Sequence, residues 1–299
     1  MTRHLIHVGY PKTGSNALRM WFSAHPQIAF GDGAIAGWRS VYDIATGAPG
    51  EDRGVAWRVT SGEGLATPHA GIGQPRVDYA SFQRGEVAAA QARVCADLAS
   101  LFPGATILIV TRGFRSMLLS SYSQYVRTGG RLDFAAFCDE DSEGVWNYDR
   151  LVGLYEAAFG ADNVIVLPYE RLRDDPGGFV AALEARLGLD PGRVAIPTLN
   201  AAVSPAALAW FPRLARRLPA PLFRRAAAGA SLDRLARLLQ RLRPLSLPDE
   251  AAVPEPVLRR YAACAVSLRS RPGFAPYLSD YGSDQAAAPG SEASAATGG

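Results

Sequence analysis

Short apolar runs alternate with longer helix-forming segments over the first two thirds of the chain. Four such runs, each followed by glycine, proline or polar residues, predict buried strands at residues 5–8, 55–60, 106–111 and 163–167. The intervening and following segments predict helices at residues 17–24, 87–101, 115–128 and 178–187, with further helical sequence up to Phe159. Residues 26–53 and 61–78 are rich in glycine and polar residues and predict loops, the first with a short helix.

The repeated order of strand, glycine turn and helix predicts an α/β fold. A parallel sheet with helices on both faces, arranged in three layers, accommodates this order. Ligands of such sheets bind beyond the carboxyl ends of the strands. We therefore expect the functional residues in the turns that follow the strands.

Composition excludes several other classes of protein. The net charge of +3 on 299 residues is too small to imply a nucleic-acid partner. Cys95, Cys138 and Cys264 form no CxxC pair, so the sequence supports neither a metal site nor a disulfide framework. No signal peptide and no apolar run long enough to span a bilayer is visible, so we expect a cytoplasmic protein.

Lys12 is the only lysine among 31 basic residues, the rest of which are arginine. This bias indicates that arginine has replaced lysine wherever either cation is tolerated. A lysine that remains suggests a position where a compact ammonium fits and a broad planar guanidinium does not.

Lys12 lies in a turn between a predicted strand and a predicted helix, a typical site for phosphate. The amides of such a turn and the helix N-terminus favour an anion. Gly9 and Gly14 have the spacing of a nucleoside-triphosphate loop, but Ser15 and Asn16 replace its Lys-Ser/Thr pair. The loop therefore suits phosphate yet offers no usual hydroxyl for Mg²⁺, which disfavours a kinase or ATPase.

The segment YPKTGSNALRMW, residues 10–21, resembles the 5′-phosphosulfate loop of sulfotransferases that use 3′-phosphoadenosine 5′-phosphosulfate (PAPS). The family pattern is Tyr/Phe-Pro-Lys-Thr/Ser-Gly-Thr/Ser-Thr/Asn, as in bacterial P-loop-like members. The resemblance implies that PAPS is the sulfuryl donor and that no metal is needed. It also implies that Lys12 is catalytic, donating to the leaving oxygen, and that the donor is bound by Pro11, Lys12, Thr13, Gly14, Ser15 and Asn16.

Two further segments strengthen the resemblance. ILIVTRGFRSMLLSSY places Arg112 and Ser120 eight residues apart, the family spacing for the two residues that bind the 3′-phosphate. VIVLPYERLRDDP is similar to the family's Tyr-Glu-x-Leu-x-x-Asp-Pro segment and implies that Tyr169 lies near the adenine. The chain departs from the family at Ala17, where a tryptophan is common, and lacks the C-terminal Arg-Lys-Gly segment of cytosolic members.

The base that accepts the acceptor's proton is sought after the second predicted strand. Glu63, flanked by Gly62 and Gly64, is the first candidate, and His69 is the second. Family members that modify glycans use a glutamate near this point, whereas cytosolic members use a histidine. His25 is a further alternative, although its position predicts a residue at a helix end.

Residues 204–248 differ in character from the rest of the chain. They contain nine arginines and one acid, Asp233, among leucine and alanine. Leu232, Leu235, Leu238, Leu239 and Leu242 form an apolar stripe beside Arg234, Arg237 and Arg241. The segment predicts either a helical subdomain with a solvated arginine face or a surface that meets an anionic membrane.

These patterns together predict one sulfotransferase domain over residues 1–282 and a low-complexity, disordered tail at 283–299. The expected reaction transfers a sulfuryl group from PAPS to a hydroxyl of a glycan, glycolipid or secondary metabolite. The alternatives are a P-loop small-molecule kinase and a non-catalytic membrane- or glycan-binding protein. Peripheral contact with the inner membrane face through 204–248 is a further possibility.

Overall fold

Five parallel strands form the centre of the computed structural model. It describes residues 3–30, 54–62, 65–67, 86–139, 145–192, 194–197, 204–227 and 230–282. The strands are β1 (Arg3–Val8), β2 (Ile28–Phe30), β3 (Trp57–Gly62), β4 (Thr106–Thr111) and β5 (Val164–Pro168). Their order across the sheet is β2-β3-β1-β4-β5, and each neighbouring pair is parallel.

Helices cover both faces of this sheet because successive strand residues point to opposite sides. Leu5, Leu108 and Ile165 pack in the core beneath α1 (Ser15–Ala24), α6 (Tyr169–Asp174) and α7 (Pro176–Leu187). Ile6, Ile107 and Val164 pack in the opposite core. That core is formed with α2 (Glu86–Leu101), α3 (Phe114–Arg127), α4 (Phe134–Asp139) and α5 (Tyr148–Phe159). The prediction of a three-layer α/β fold is confirmed.

Several element boundaries differ from the sequence prediction. α1 begins at Ser15 rather than Ala17, because Gly14 has a φ of 83° and takes the N-cap position. β3 extends to Gly62, since Ser61 and Gly62 pair with His7 and Val8 of β1. β2 and α6 were not predicted. β2 is three residues long, and among the described strands it pairs with β3 alone, so its sequence carries almost no periodic signal.

The C-terminal third is helical and returns to the sheet at its end. It contains α8 (Pro205–Arg217), α9 (Ala220–Ala227), α10 (Ala230–Leu242) and α11 (Glu255–Ala262). A 3-10 turn over Ala275–Tyr281 then places the Tyr281 hydroxyl 2.8 Å from the Thr111 hydroxyl at the end of β4. In the part of the chain that the structure describes, no helix is long and apolar enough to cross a membrane.

Candidate active site

The turns after β1 and β4 lie side by side at the point of the sheet where the strand order changes direction. From the central β1, the chain adds β2 and β3 on one side of the sheet and then β4 and β5 on the other. The turn after β1 contains Lys12, and the turn after β4 contains Arg112. Ligands of open parallel sheets bind at such a switch point. The topology therefore brings two sequence motifs, about 100 residues apart, to one crevice.

The Lys12 loop has a strained backbone and is stabilised by hydrogen bonds from hydroxyl groups within the loop. Lys12 has a φ of 72°, in the left-handed region that non-glycine residues rarely adopt. The buried Thr13 hydroxyl donates to the Tyr10 carbonyl over 2.7 Å, and the Ser15 hydroxyl faces the same oxygen at 3.5 Å. Both hydroxyls thus point into the loop. The amides at the start of α1 have no intrahelical acceptor, so they can meet a ligand beside the Lys12 side chain.

The other loop residues are partly accessible. Pro11 and Gly14 are half-buried, whereas Asn16 is exposed and accepts a hydrogen bond from Arg19. Gly14 packs closely against α6: a Cβ at this position would be 2.5 Å from Cδ2 of Leu172. Together with its positive φ, this close approach makes glycine the residue that fits here.

Arg112 joins the loop, α3 and Tyr169. Its Nη1 donates to the Lys12 carbonyl over 2.6 Å, and its Nε donates to the Ser116 hydroxyl over 2.9 Å. Its guanidinium carbon lies 4.4 Å from the centre of the Tyr169 ring, within the range of a cation–π contact. The Tyr169 ring also reaches the backbone of Gly14, where a Cβ would be 3.4 Å from it. Residues from all three sequence motifs are therefore in direct contact.

Ser120 and Ser116 lie on the same side of α3. Ser120 is half-buried, one helical turn after the buried Ser116. Sequence analysis missed Ser116, which fixes the Arg112 side chain and itself donates to the Gly113 carbonyl over 3.1 Å. The signal was present in the spacing, because Arg112, Ser116 and Ser120 are four residues apart.

A buried network fixes the turn that carries Arg112. Glu170 accepts from the Gly113 amide over 2.9 Å and from the Tyr281 hydroxyl over 3.1 Å. The Tyr148 hydroxyl donates to the Arg112 carbonyl over 2.7 Å. Burial raises the pKa of the Glu170 carboxyl, and the hydrogen bond from Gly113 opposes this rise. Glu170 thus anchors the C-terminal segment to the site.

A buried histidine lies below the Lys12 loop. The His7 Nδ1 is 2.8 Å from the Ser61 hydroxyl, while its Cε1 and Nε2 would be 3.0 Å from a Cβ on Gly9. Burial, and then the charge of Arg19, lower the pKa of His7 to about 3. The ring is therefore neutral at physiological pH. It supports the loop from within the sheet and is buried away from solvent.

Both leading candidates for the base, Glu63 and His69, lie outside the described residues. Glu63 follows Gly62 in the sequence, and the Gly62 carbonyl accepts from the Gly9 amide over 3.3 Å. His25 is described and is not at the crevice. It ends α1, about 15 Å along the helix from the loop, and its Nε2 is 3.9 Å from Glu184.

Comparisons with known proteins find similarity to sulfotransferases. Residues 88–191 match the model of the sulfotransferase family, and this segment contains Arg112, Ser120 and Tyr169. The match confirms the resemblance to sulfotransferases, and the matched segment includes β4, α3 and β5. No curated protein matches the sequence.

The fold is similar to that of a solved sulfotransferase structure. A sulfotransferase from Alicyclobacillus acidocaldarius is 19% identical and has a TM-score of 0.50, covering 79% of this chain and 96% of that chain. A mouse sulfotransferase complexed with PAP is 16% identical with a TM-score of 0.38, covering 63% of this chain and 59% of that chain. The first similarity supports a common α/β architecture over most of this chain.

Proposed function

We propose that this protein transfers the sulfuryl group of PAPS to a hydroxyl of a glycan, glycolipid or secondary metabolite. The observation that carries the proposal is the direct contact of Arg112 with Lys12 and Tyr169. Lys12 belongs to the segment that resembles the 5′-phosphosulfate loop, and Arg112 and Tyr169 belong to those that resemble the 3′-phosphate and adenine segments. These contacts bring the three segments together at one switch point.

In the proposed complex, the Lys12 loop holds the 5′-phosphosulfate through its amides, and Arg112 and Ser120 hold the 3′-phosphate. A guanidinium has five N–H donors, and the described contacts of Arg112 use Nε and one bond from Nη1. Its remaining donors can meet a phosphate while the contact with Lys12 persists. Tyr169 would then border the adenine.

The proposed chemistry needs a proton acceptor and a stabilised leaving group. The sulfuryl group forms a bond to the acceptor oxygen as its bond to the bridging oxygen of the phosphosulfate breaks. Lys12 would donate to that bridging oxygen, while Glu63 or His69 takes the proton of the acceptor hydroxyl. Glu63 is favoured because it directly follows Gly62, which is hydrogen-bonded to the start of the loop.

The orientation of the loop hydroxyls disfavours phosphoryl transfer as the alternative. A nucleoside-triphosphate loop presents a Ser or Thr hydroxyl to Mg²⁺. Here the hydroxyls of Thr13 and Ser15 are buried and face the Tyr10 carbonyl. We therefore expect no turnover of ATP in the presence of Mg²⁺, and measurable ATP hydrolysis or kinase activity would favour the alternative.

The test is transfer of labelled sulfate from PAPS to small molecules and glycans of the native host, with mass identification of the product. Glu63→Gln should retain donor affinity and lose about 10²- to 10⁴-fold in rate, as expected for loss of a general base. His69→Ala is the paired variant. A near-normal rate for Glu63→Gln together with a large loss for His69→Ala would assign the base to His69.

A further inference from the structure

The arginine-rich segment gives the protein a strongly uneven charge distribution. Residues 204–248 hold nine arginines and one aspartate, a formal charge of +8, whereas the whole chain carries +3. The remaining residues therefore carry a net charge of −5. Such asymmetry indicates that this one region meets an anionic partner.

The same region exposes large apolar side chains. Of the eight large hydrophobic residues exposed in the described parts of the chain, five lie in this segment: Leu222, Leu235, Leu238, Leu242 and Leu247. The most exposed is Leu242, at 74%, followed by Leu222 at 59% and Leu238 at 53%. A soluble surface rarely concentrates leucines in this way without a partner.

α10 arranges its leucines and arginines in neighbouring rows. Leu232 and Ala236 are buried against the rest of the molecule. Leu235, Leu238 and Leu242 follow at spacings of three and four and share a second, exposed side of the helix. The predicted stripe of five leucines is therefore divided, with Leu232 in the core, Leu239 half-buried and the other three exposed. Each of these three is preceded by an arginine, at positions 234, 237 and 241, which forms a parallel cationic row.

The single acid of the segment offsets the charge of one arginine and leaves the others in excess. The Asp233 carboxylate lies 2.5 Å from Nη2 of Arg237 and 2.5 Å from the Ser204 hydroxyl. It thus serves to fix α10 to the start of α8. Trp210 also donates to Gln240 over 2.9 Å, so α10 is attached to α8 along its length and its outer side is already formed.

These observations distinguish between the possible occupants of the surface. A second copy related by two-fold symmetry would bring the arginines of both copies together. A nucleic acid would meet the arginines but leave the leucines unexplained. We propose that the surface formed by α9 and α10 binds an anionic lipid bilayer, with its leucines in the acyl boundary and its arginines among the headgroups.

Vesicle flotation of the full chain without PAPS or acceptor tests this proposal independently of the reaction. We expect binding to vesicles of phosphatidylglycerol and phosphatidylcholine, and at least about tenfold weaker binding to pure phosphatidylcholine. Arg225, Arg241 and Arg243 are exposed, and their joint replacement by Gln should weaken binding by about 100-fold, near 1 kcal/mol per arginine. The control replaces Arg93, Arg186 and Arg259, three exposed arginines outside the segment, and should bind nearly as well as the parent protein.

A second pair of variants separates insertion from charge attraction. Leu238→Ser with Leu242→Ser should weaken binding by at least about tenfold. Leu101→Ser with Val266→Ser removes two exposed apolar residues outside the segment, at 49% and 50% exposure. This control pair should leave vesicle binding unchanged. Equal binding to neutral and anionic vesicles, or equal losses in variant and control, would overturn the proposal. A change of molecular mass on sedimentation caused by the leucine pair would also overturn it, because the surface would then cover a second copy.

Discussion

The backbone of Lys12 explains why a side chain at this position must have a purpose. Its φ of 72° is the only positive value among the non-glycine residues that the structure describes. A left-handed conformation costs an ordinary residue about 1–2 kcal/mol, and glycine would avoid that cost. The Arg112 bond to the Lys12 carbonyl helps to maintain the strained turn.

Lys12→Arg tests whether the ammonium itself is required. Both residues are charged and both have a Cβ, so the substitution keeps the charge and the backbone strain and changes only the head group. We expect adenosine bisphosphate binding to remain measurable and turnover to fall at least about tenfold, or roughly 1.4 kcal/mol of transition-state stabilisation. Steady-state kinetics with PAPS measure this loss.

Lys12→Met is the matched control, because it keeps the length of the side chain without its charge. It should lose more turnover than Lys12→Arg. Parental turnover by the arginine variant would show that any cation suffices, and the inference from the single lysine would be wrong.

Sequence motifs located Lys12, Arg112 and Tyr169 but not the contacts among them. The motif spacing implies ligand roles, and it contains no information on which hydroxyls turn inward. Thr13 and Ser15 were expected to contact phosphate, yet both side chains face Tyr10. Their part in donor binding remains a prediction that rests on their amides.

At the scale of elements, the β4–α3 turn depends on a segment that is distant in sequence. Tyr281 bonds to both Thr111 and Glu170, and Glu170 holds the Gly113 amide. The family's C-terminal Arg-Lys-Gly segment is absent here. The C-terminal 3-10 turn nonetheless reaches the site, where it supports the Arg112 turn from behind.

Tyr281→Phe should loosen that turn with little loss of packing. Removing one buried hydroxyl that bonds to a carboxylate should lower the free energy of unfolding by about 1.5–3 kcal/mol. Affinity for the bisphosphate should fall as well, because Arg112 loses support. Urea unfolding and calorimetry measure the two effects. Tyr277→Phe, in the same 3-10 turn, is the control, and equal effects in both variants would contradict the role given to Tyr281.

The long elements were predictable and the short ones were not. β4 and β5 are continuous apolar runs, so their sequence predicts buried strands of a parallel sheet. β2 has three residues and α6 has six, directly after β5, so both are too short for a periodic pattern to be distinguished in the sequence. In the core formed with α2 to α5, the rings of Tyr148 and Tyr261 stack against Phe114. These residues come from segments that are distant in the sequence, so no local pattern predicts their contact.

At the scale of the whole molecule, two histidines of β1 link stability to pH. Burial, followed by the charge of Arg58, lowers the pKa of His4 to about 4, and burial lowers that of His7 to about 3. Below the ordinary histidine pKa of about 6.5, the unfolded chain binds these protons and the folded protein does not. Their contribution is therefore destabilising as pH falls from about 6.5 toward their folded values.

His4→Gln should reduce that pH dependence. Glutamine can retain a bond to the Thr60 hydroxyl, which lies 3.0 Å from His4 Nε2. Between about pH 5.5 and 4.5, the free energy of unfolding should change less steeply in the variant, by up to about 1.4 kcal/mol per pH unit. Urea unfolding at several pH values gives both slopes. Identical slopes would show that His4 titrates alike in the folded and unfolded chain.

Calorimetry of nucleotide binding decides whether the crevice at the β1–β4 switch point is a site for an adenosine 3′,5′-bisphosphate. The parent protein should bind 3′-phosphoadenosine 5′-phosphate more tightly than 5′-AMP by about 1.5–3 kcal/mol, the scale of hydrogen bonds to a charged group. Arg112→Ala should remove most of this difference in affinity. It should also lower the affinity for 5′-AMP, because Arg112 is hydrogen-bonded to the Lys12 carbonyl. Equal affinity of the parent protein for the two nucleotides would contradict the assignment of the site and of the donor.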